Sequence, residues 1–345
     1  MKLEFPTWDP VLFDFPGPID VRWYGLMYIA GFVVAGVILK RLARDRFLPL
    51  EPDRTGDFLI WLLFGVIFGG RIGYALFYDR GLADPIRIFE IWKGGMSFHG
   101  GLLGVCVAFL WFAKKHRLPL LRLGDAAALC VTPGIAFVRF ANFINGELYG
   151  RVTGPDSLLA MRFPTDPVAL RELGLAGLSD TRSKELALQV ATGHRSFEDV
   201  AAKLTPRDGI GQPVNWAEIR PRLDWEAAKT QVDFRYPSQL FEGVAEGVLL
   251  GLVLFVAYRL FRARHLGPGG YGGLFLLGYG VARFGLEYVR QPDSQFTSSE
   301  DPVGTVFFGL TMGQTLSSVM ILAGAFFLLR GFRSRGEAPA AAAAA

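Results

Sequence analysis

The chain has 345 residues, 51% of them hydrophobic, and a formal charge of +4, with a mean hydropathy of +0.31. Apolar content gathered into runs of about 20 residues excludes an ordinary soluble domain and points to membrane helices. The basic residues lie in short clusters between apolar runs, a topology pattern that argues against nucleic acid as a partner, and the cysteines, Cys106 and Cys130, sit inside apolar runs without metal-ligand or CxxC spacing, so no disulfide and no metal site is expected.

Residues 1–20, rich in Pro and Asp, read as a short interfacial segment. No cleavable leader is expected: the first apolar run starts only near Val21, lacks a basic leader and is long enough to span. Spans are predicted at about Val21–Leu39, Phe58–Phe77, Met96–Ala113, Asp125–Ile144, Ser238–Phe261, Gly270–Tyr288 and Val306–Leu329. Asp79–Trp92 is amphipathic and suits the interface. Residues 152–235 are polar, with prolines and short apolar pieces, and read as a water-facing head domain of mixed structure. The tail, 333–345, ends in a low-complexity alanine run and is left out of the fold.

The expected fold is thus an all-α polytopic membrane protein of seven transmembrane helices. Helices one to four lie within 21–151 and five to seven within 236–332, with an extracytoplasmic head domain inserted between helices four and five. The loops set its orientation. Lys40, Arg41, Arg44, Arg46 and Arg54 follow span one; Lys114, Lys115, Arg117 and Arg122 follow span three. Arg259, Arg262 and Arg264 follow span five, and Arg330, Arg333 and Arg335 follow span seven. By the positive-inside rule that side is cytoplasmic, so the N-terminus and head face outward and the C-terminus inward.

Three polar constellations interrupt the spans. In FVRFANFINGELYGR, residues 137–151, helical spacing places Arg139, Asn142 and Gly146 on one face with Glu147 beside them. A charge inside a bilayer is costly and usually faces a polar cavity; snorkelling of Arg139 to the headgroups is the bland alternative. In GYGVARFGLEYVRQPD, Tyr279, Arg283, Glu287 and Arg290 form a stripe. An isolated Arg283–Glu287 pair accounts for the glutamate but not for its placement in a membrane. Two arginine-bearing helices facing one cavity suggest an anionic ligand, since the guanidinium fork binds two phosphate oxygens. In MSFHGGLLG, His99 opens span three, followed by Gly100 and Gly101. Its imidazole takes a proton near neutral pH, and the glycines admit a lipid or a backbone closely. Tyr24 at the start of span one, and Arg71 among Gly69, Gly70 and Gly73 in span two, complete the outward-facing polar set. Ser238, four residues before Glu242, resembles an N-cap followed by a helical acid rather than a nucleophile.

The blocks VRWYGLMYIAGF, GGRIGYALFYD, GGMSFHGGLLG, RFANFINGELYGR, YPSQLFEG and GYGVARFGLEYVRQPDSQF together resemble the bacterial prolipoprotein diacylglyceryl transferases, in the family's order. Two features depart from the family: a longer 152–235 segment, and Tyr236 where many members carry His. The resemblance implies an enzyme of the bacterial inner membrane with no cofactor and no metal. Such enzymes move the diacylglyceryl group of phosphatidylglycerol to the lipobox cysteine of a preprolipoprotein signal peptide, forming a thioether and releasing glycerol-1-phosphate. On that footing Arg139 and Arg283 are expected to hold phosphate and His99 to act as the base that yields a thiolate. Glu147 and Glu287 are expected to orient the arginines or accept protons. Tyr24, Asn142, Tyr279 and Gly100 are expected to contact the lipid. The rival reading is a lipid or anion carrier with a two-arginine phosphate site, for which carriers often show paired halves that are not evident here.

Overall fold

A computed structural model describes residues 4–15, 20–77, 95–204, 208, 214–292, 296, 297, 301 and 303–335. The predicted amphipathic piece Asp79–Trp92 and the end of the tail lie outside them.

The chain opens with an antiparallel hairpin, β1 (Val11–Asp14) and β2 (Asp20–Arg22), that runs directly into α1 (Trp23–Arg44). There follow α2 (Thr55–Phe77), α3 (Phe98–Lys115) and α4 (Leu120–Ile144). Five short helices come next: α5 (Pro167–Glu172), α6 (Thr181–Ala191), α7 (Phe197–Val200), α8 (Trp216–Ile219) and α9 (Trp225–Ala228). The next long helix changes pitch along its length, from α10 (Ser238–Glu242) through a π-helical stretch (Gly243–Leu249) to α11 (Leu250–Leu260). The chain ends with α12 (Gly270–Leu286), a second hairpin of β3 (Thr305–Phe307) and β4 (Leu310–Thr311), and α13 (Met312–Arg333).

The protein is mostly helical, and five helices are long and apolar enough to cross a membrane: Trp23–Arg44, Pro52–Phe77, Leu120–Ile144, Ser238–Leu260 and Met312–Arg333. At 1.5 Å per residue, 22 residues reach about 33 Å, the thickness of a hydrocarbon core. Two of the seven predicted spans are not among the five. The 18-residue α3 has His99 at one end and Lys114 and Lys115 at the other, and α12 is 17 residues long. The predicted start of the last span at Val306 is also displaced, because Thr305–Thr311 forms the second hairpin and the helix begins at Met312.

The chain divides into two compact units. One comprises Gly31–Pro133, Gly251–Leu277 and Leu322–Ala345. Its core gathers Leu39, Leu42, Phe58, Phe112, Leu123 and Tyr271. Here α2 and α3 pack backbone against backbone. A Cβ on Gly65 would meet the Gly104 carbonyl oxygen at 2.6 Å, and one on Gly73 would meet the Gly100 Cα at 2.7 Å. Such approach is how helices associate in lipid, where apolar burial gives them no advantage over lipid contact. Arg122, predicted as a loop charge, is instead buried within α4, 3.3 Å from Asp125 and donating to the Leu266 carbonyl at 3.1 Å. Asp125 in turn accepts the backbone N–H groups of Gly269 and Gly272, both at 2.9 Å, and so satisfies the start of α12.

The other unit comprises Met1–Ala30, Gly134–Leu250 and Gly278–Ile321. Its 152–235 segment is built of short helices tied by isolated bridges. Each of these helices begins on a capping side chain: Asp166, Asp180, Ser196, Asn215 and Asp224 accept backbone N–H groups of the following turn. They close over small apolar clusters, one around Leu173, Leu175 and Ala187, another around Leu186 and Val200.

Candidate functional site

Within this second unit three chain segments meet where α4 ends and α10 begins. Past Ile144 the backbone turns at Gly146, with φ 63°, and at Leu148, with φ 57°. Gly146 therefore lies beyond the helix, not on the Arg139–Asn142 face as its spacing suggests. The turn is pinned from the YPSQ stretch. Gln239 Nε2 donates to the Glu147 carbonyl at 2.6 Å and Ser238 Oγ to the Leu148 carbonyl at 2.9 Å. Ser238 is thus no helix cap: its hydroxyl satisfies a carbonyl of another segment, and α10 has no side-chain cap hydrogen bond. Gly150 N donates to the Tyr236 carbonyl at 2.7 Å and Arg151 N to the Val289 carbonyl at 2.8 Å, which ties in the end of α12. Glycines on the π-helical stretch let it lie against α4. A Cβ on Gly247 would fall 2.6 Å from the Ala136 Cβ, and one on Gly243 3.3 Å from the Arg139 Cβ.

This packing assembles a buried charge cluster. Glu242 is the hub, with 1% side-chain exposure, and lies 2.9 Å from Arg139, 3.6 Å from Arg283 and 3.8 Å from Arg290. Arg139 also lies 3.9 Å from Glu246, and Arg283 3.5 Å from Glu287. Tyr279 stands beside Glu246. Three guanidiniums and three carboxylates share the cluster, so its formal charge sums to zero. Isolated buried charges are expensive, and mutual pairing is what makes such a group tenable. The pairing is electrostatic rather than fork-to-fork. Among the described residues neither Glu242 oxygen has an aligned hydrogen-bond donor, and Arg283 Nη1 has no aligned acceptor. A π-helical turn, wider than an α-turn, carries Glu246 at this point, in keeping with the concentration of π segments at functional sites.

Beside the cluster runs a second polar chain built on Glu147. Glu147 accepts from Asn142 Nδ2 at 2.9 Å and Asn145 Nδ2 at 3.1 Å, and Asn142 stands beside Tyr24. The acids facing Arg139 are therefore Glu242 and Glu246, while Glu147 is engaged by amides. Nearby, the Tyr236 hydroxyl titrates below its ordinary range because the Thr153 and Ser157 hydroxyls hydrogen-bond to it. Tyr149 is pushed up to about 12, chiefly by burial and then by Asp166.

Of the sequence-predicted residues, the structure gathers Arg139, Arg283, Glu287 and Tyr279 in one cluster and Tyr24, Asn142 and Glu147 in one chain. His99 and Gly100 belong to the other unit, in the first turn of α3, where Ser97 caps the helix by accepting Gly100 N at 3.2 Å. His99 is exposed. Gly100 has a packing reason for lacking a side chain: a Cβ there would meet the Gly73 Cα at 2.8 Å. Arg71, in the same unit, donates to the Gly95 carbonyl at 3.0 Å. Sequence reasoning passed over Glu242 and Glu246 as site residues. The signal was present: two acids four residues apart on one face of an apolar helix.

A family model described as prolipoprotein diacylglyceryl transferase matches residues 10–330. A phosphatidylglycerol–prolipoprotein diacylglyceryl transferase of Burkholderia thailandensis is 38% identical over 344 residues, covering 97% of this chain and 99% of the relative. One of Burkholderia mallei is 38% identical over 341 residues, 96% and 98% of the two chains. One of Paraburkholderia phymatum is 38% identical over 352 residues, 98% of each.

Proposed function

The chain belongs to the prolipoprotein diacylglyceryl transferase family, and on that premise we propose that it transfers the sn-1,2-diacylglyceryl group of phosphatidylglycerol to the lipobox cysteine of preprolipoproteins, the first step of lipoprotein maturation. The cysteine sulfur attacks the glyceryl carbon that bears the phosphate ester. An S–C bond forms, the C–O bond breaks, and the electron pair leaves on the phosphate oxygen as glycerol-1-phosphate. The thiol proton goes to His99, the proposed base. Arg139 and Arg283 hold the phosphate and stabilise the charge that grows on it, so no metal or cofactor enters the step. Glu287 orients Arg283, and Glu147 fixes Asn142 and, through it, Tyr24 against the glycerol. Tyr279 steadies the headgroup, and Gly100 lets α3 lie on α2 next to His99.

The observation that supports this most is the convergence of Arg139, Arg283 and Arg290 on one buried carboxylate, with Arg283 Nη1 left able to take another acceptor. A phosphate is the anion that a set of guanidinium forks fits best. The same proposal includes the seven-helix count, with α3 and α12 crossing beside the five long helices. It places the protein in the bacterial inner membrane, with the N-terminus and a 152–235 head domain periplasmic and the C-terminus cytoplasmic, from the basic clusters named above.

The test is transfer itself. Purified protein is mixed with phosphatidylglycerol and a peptide carrying a lipobox cysteine, and the peptide is weighed by mass spectrometry. The expected result is a gain of one diacylglyceryl group on the cysteine, lost in His99→Gln and severely reduced in Arg139→Ala and Arg283→Ala. An unmodified peptide with folded, lipid-binding protein overturns the proposal in favour of a carrier.

A further inference from the structure

The second hairpin presents an aromatic tip under backbone strain. Thr305 pairs with Thr311 and Phe307 with Leu310, and the two residues that turn the chain, Phe308 and Gly309, have φ of 47° and 74°. Consecutive left-handed residues give the tight turn whose twist matches a hairpin, and Asn-Gly or Gly-Gly is what that turn ordinarily selects. Phenylalanine at such a position is a conformational outlier. Burial does not compensate for it: Phe308 is 90% exposed, and Phe307, whose ring meets it edge-on at 4.4 Å, is 58% exposed. Strain held in place by its surroundings is a mark of a functional element.

The surroundings do hold it. Asp301 accepts the backbone N–H groups of Val303 and Gly304, both at 3.0 Å, and of Thr305 at 2.7 Å, and also the Thr305 hydroxyl at 2.7 Å. At the other strand, Gln314 accepts Thr311 N at 3.2 Å and donates its own N–H to Thr311 Oγ1 at 3.1 Å. Thr311 Oγ1 donates to Glu287 Oε1 at 3.1 Å, and Glu287 is the carboxylate paired with Arg283.

The hairpin, TVFFGLT, carries no charge and continues without a linker into α13, whose Leu316 and Val319 are exposed at 59% and 62% on one face of a helix long and apolar enough to cross a membrane. Lipid is therefore the partner continuous with the tip. An amphipathic or aromatic element at this level is stable in the boundary between headgroups and acyl chains.

We propose that Phe307 and Phe308 dock on the bilayer interface, and that Thr311 carries the position of the docked hairpin to Glu287 and thereby to Arg283. The docking half stands on the membrane helix alone; the coupling half rests on the transferase reading above.

The first measurement is depth. Phe308→Cys in a Cys106→Ser background, with Cys130 buried, is spin-labelled and reconstituted into vesicles of phosphatidylglycerol and phosphatidylcholine. The expected label collides with oxygen, which concentrates in lipid, and is shielded from a water-soluble nickel chelate. Nickel access overturns the docking. So does dipolar broadening, which would mark a second copy as the partner, and so does shielding that appears only after the lipobox peptide is added. The second measurement is transfer in the same vesicles. Phe308→Asp is expected to lose roughly tenfold, as forfeiting the burial of one aromatic ring implies, while Phe308→Leu keeps most activity. Phe308→Gly is expected to melt at a higher temperature in detergent, with its strain relieved, yet to transfer poorly in vesicles. Wild-type transfer by Phe308→Asp overturns the coupling. Absence of transfer in the unsubstituted protein overturns the transferase reading instead and leaves the depth result standing.

Discussion

Glu242 lies 2.9, 3.6 and 3.8 Å from three guanidiniums with 1% of its side chain exposed. Removing its charge leaves three guanidiniums against the carboxylates of Glu246, 3.9 Å from Arg139, and Glu287, 3.5 Å from Arg283, so the cluster carries one uncompensated formal charge. Breaking a buried pair by deleting one partner costs about 3–5 kcal/mol. Glu242→Gln is therefore expected to lower stability by about 3 kcal/mol and transfer by roughly a hundredfold, read by melting temperature and the peptide mass assay. Ser238→Ala removes a single hydrogen bond to the Leu148 carbonyl and is expected to cost about 1 kcal/mol with transfer retained. Normal stability and transfer in Glu242→Gln would show that Glu242 does not hold the three arginines together. The arginines were legible in the sequence because a charge within an apolar run stands out. Glu242 was not, because its local setting, four residues after Ser238, mimics a cap, and its three partners arrive from α4, from α12 and from the turn that follows α12. Glu147, close in sequence to Arg139, is held in space by Asn142 and Asn145.

At the scale of elements, α2 and α3 are organised by glycines rather than by side chains. Gly101 supplies the internal control. A Cβ there would sit 3.6 Å from the Val66 carbonyl oxygen, an ordinary contact, whereas one on Gly104 would sit 3.0 Å from the Gly69 Cα and closer still to the Gly65 carbonyl. Gly101→Ala is expected to change the melting temperature little. Gly104→Ala is expected to cost about 1–3 kcal/mol, the range for overpacking, and to reduce transfer by shifting the start of α3, which bears His99. Equal effects of the two substitutions would show that close backbone approach does not position that helix. The glycine pairs were visible in the sequence, but periodicity does not say whether a glycine faces lipid or another backbone; only the register of α2 on α3 does. Helix existence was legible for every predicted span, since apolar runs near 20 residues have few other uses. The last helix start was not, because the apolar residues of TVFFGLT serve a hairpin, and an apolar run alone does not separate strand from helix.

For the molecule as a whole, the start of the chain and the inserted 152–235 segment belong to one unit, and ion pairs join them. Asp9 lies 2.9 Å from Arg182 and 3.0 Å from Arg195; Asp14 lies 3.5 Å from Arg182 and contacts Lys203; Arg22 lies 2.7 Å from Glu185. Gln189 Nε2 donates to the Thr7 carbonyl at 2.8 Å inside this strap. Composition marked residues 1–20 and the polar insertion separately, but neither stretch carries a local sign of the other, so their union was illegible in the sequence. It has a pH signature. The Asp14 carboxyl is held below its ordinary value, first by the hydrogen bond from Lys203 and then by the charges of Lys203 and Arg182. A carboxylate with a depressed folded-state pKa contributes stability that is fully present above its unfolded value, about 3.9, and is lost as pH falls through the folded value. Melting temperature is therefore expected to drop on acidification below about pH 4. In Asp9→Asn/Asp14→Asn, melting at pH 7 should already be lower, and the further fall on acidification smaller, because the Asp14 charge that acid removes is gone. If the double variant melts like the unsubstituted protein at neutral pH and falls as steeply in acid, these pairs do not hold the strap, and the inserted helices must be retained by the apolar clusters around Leu173 and Leu186 alone.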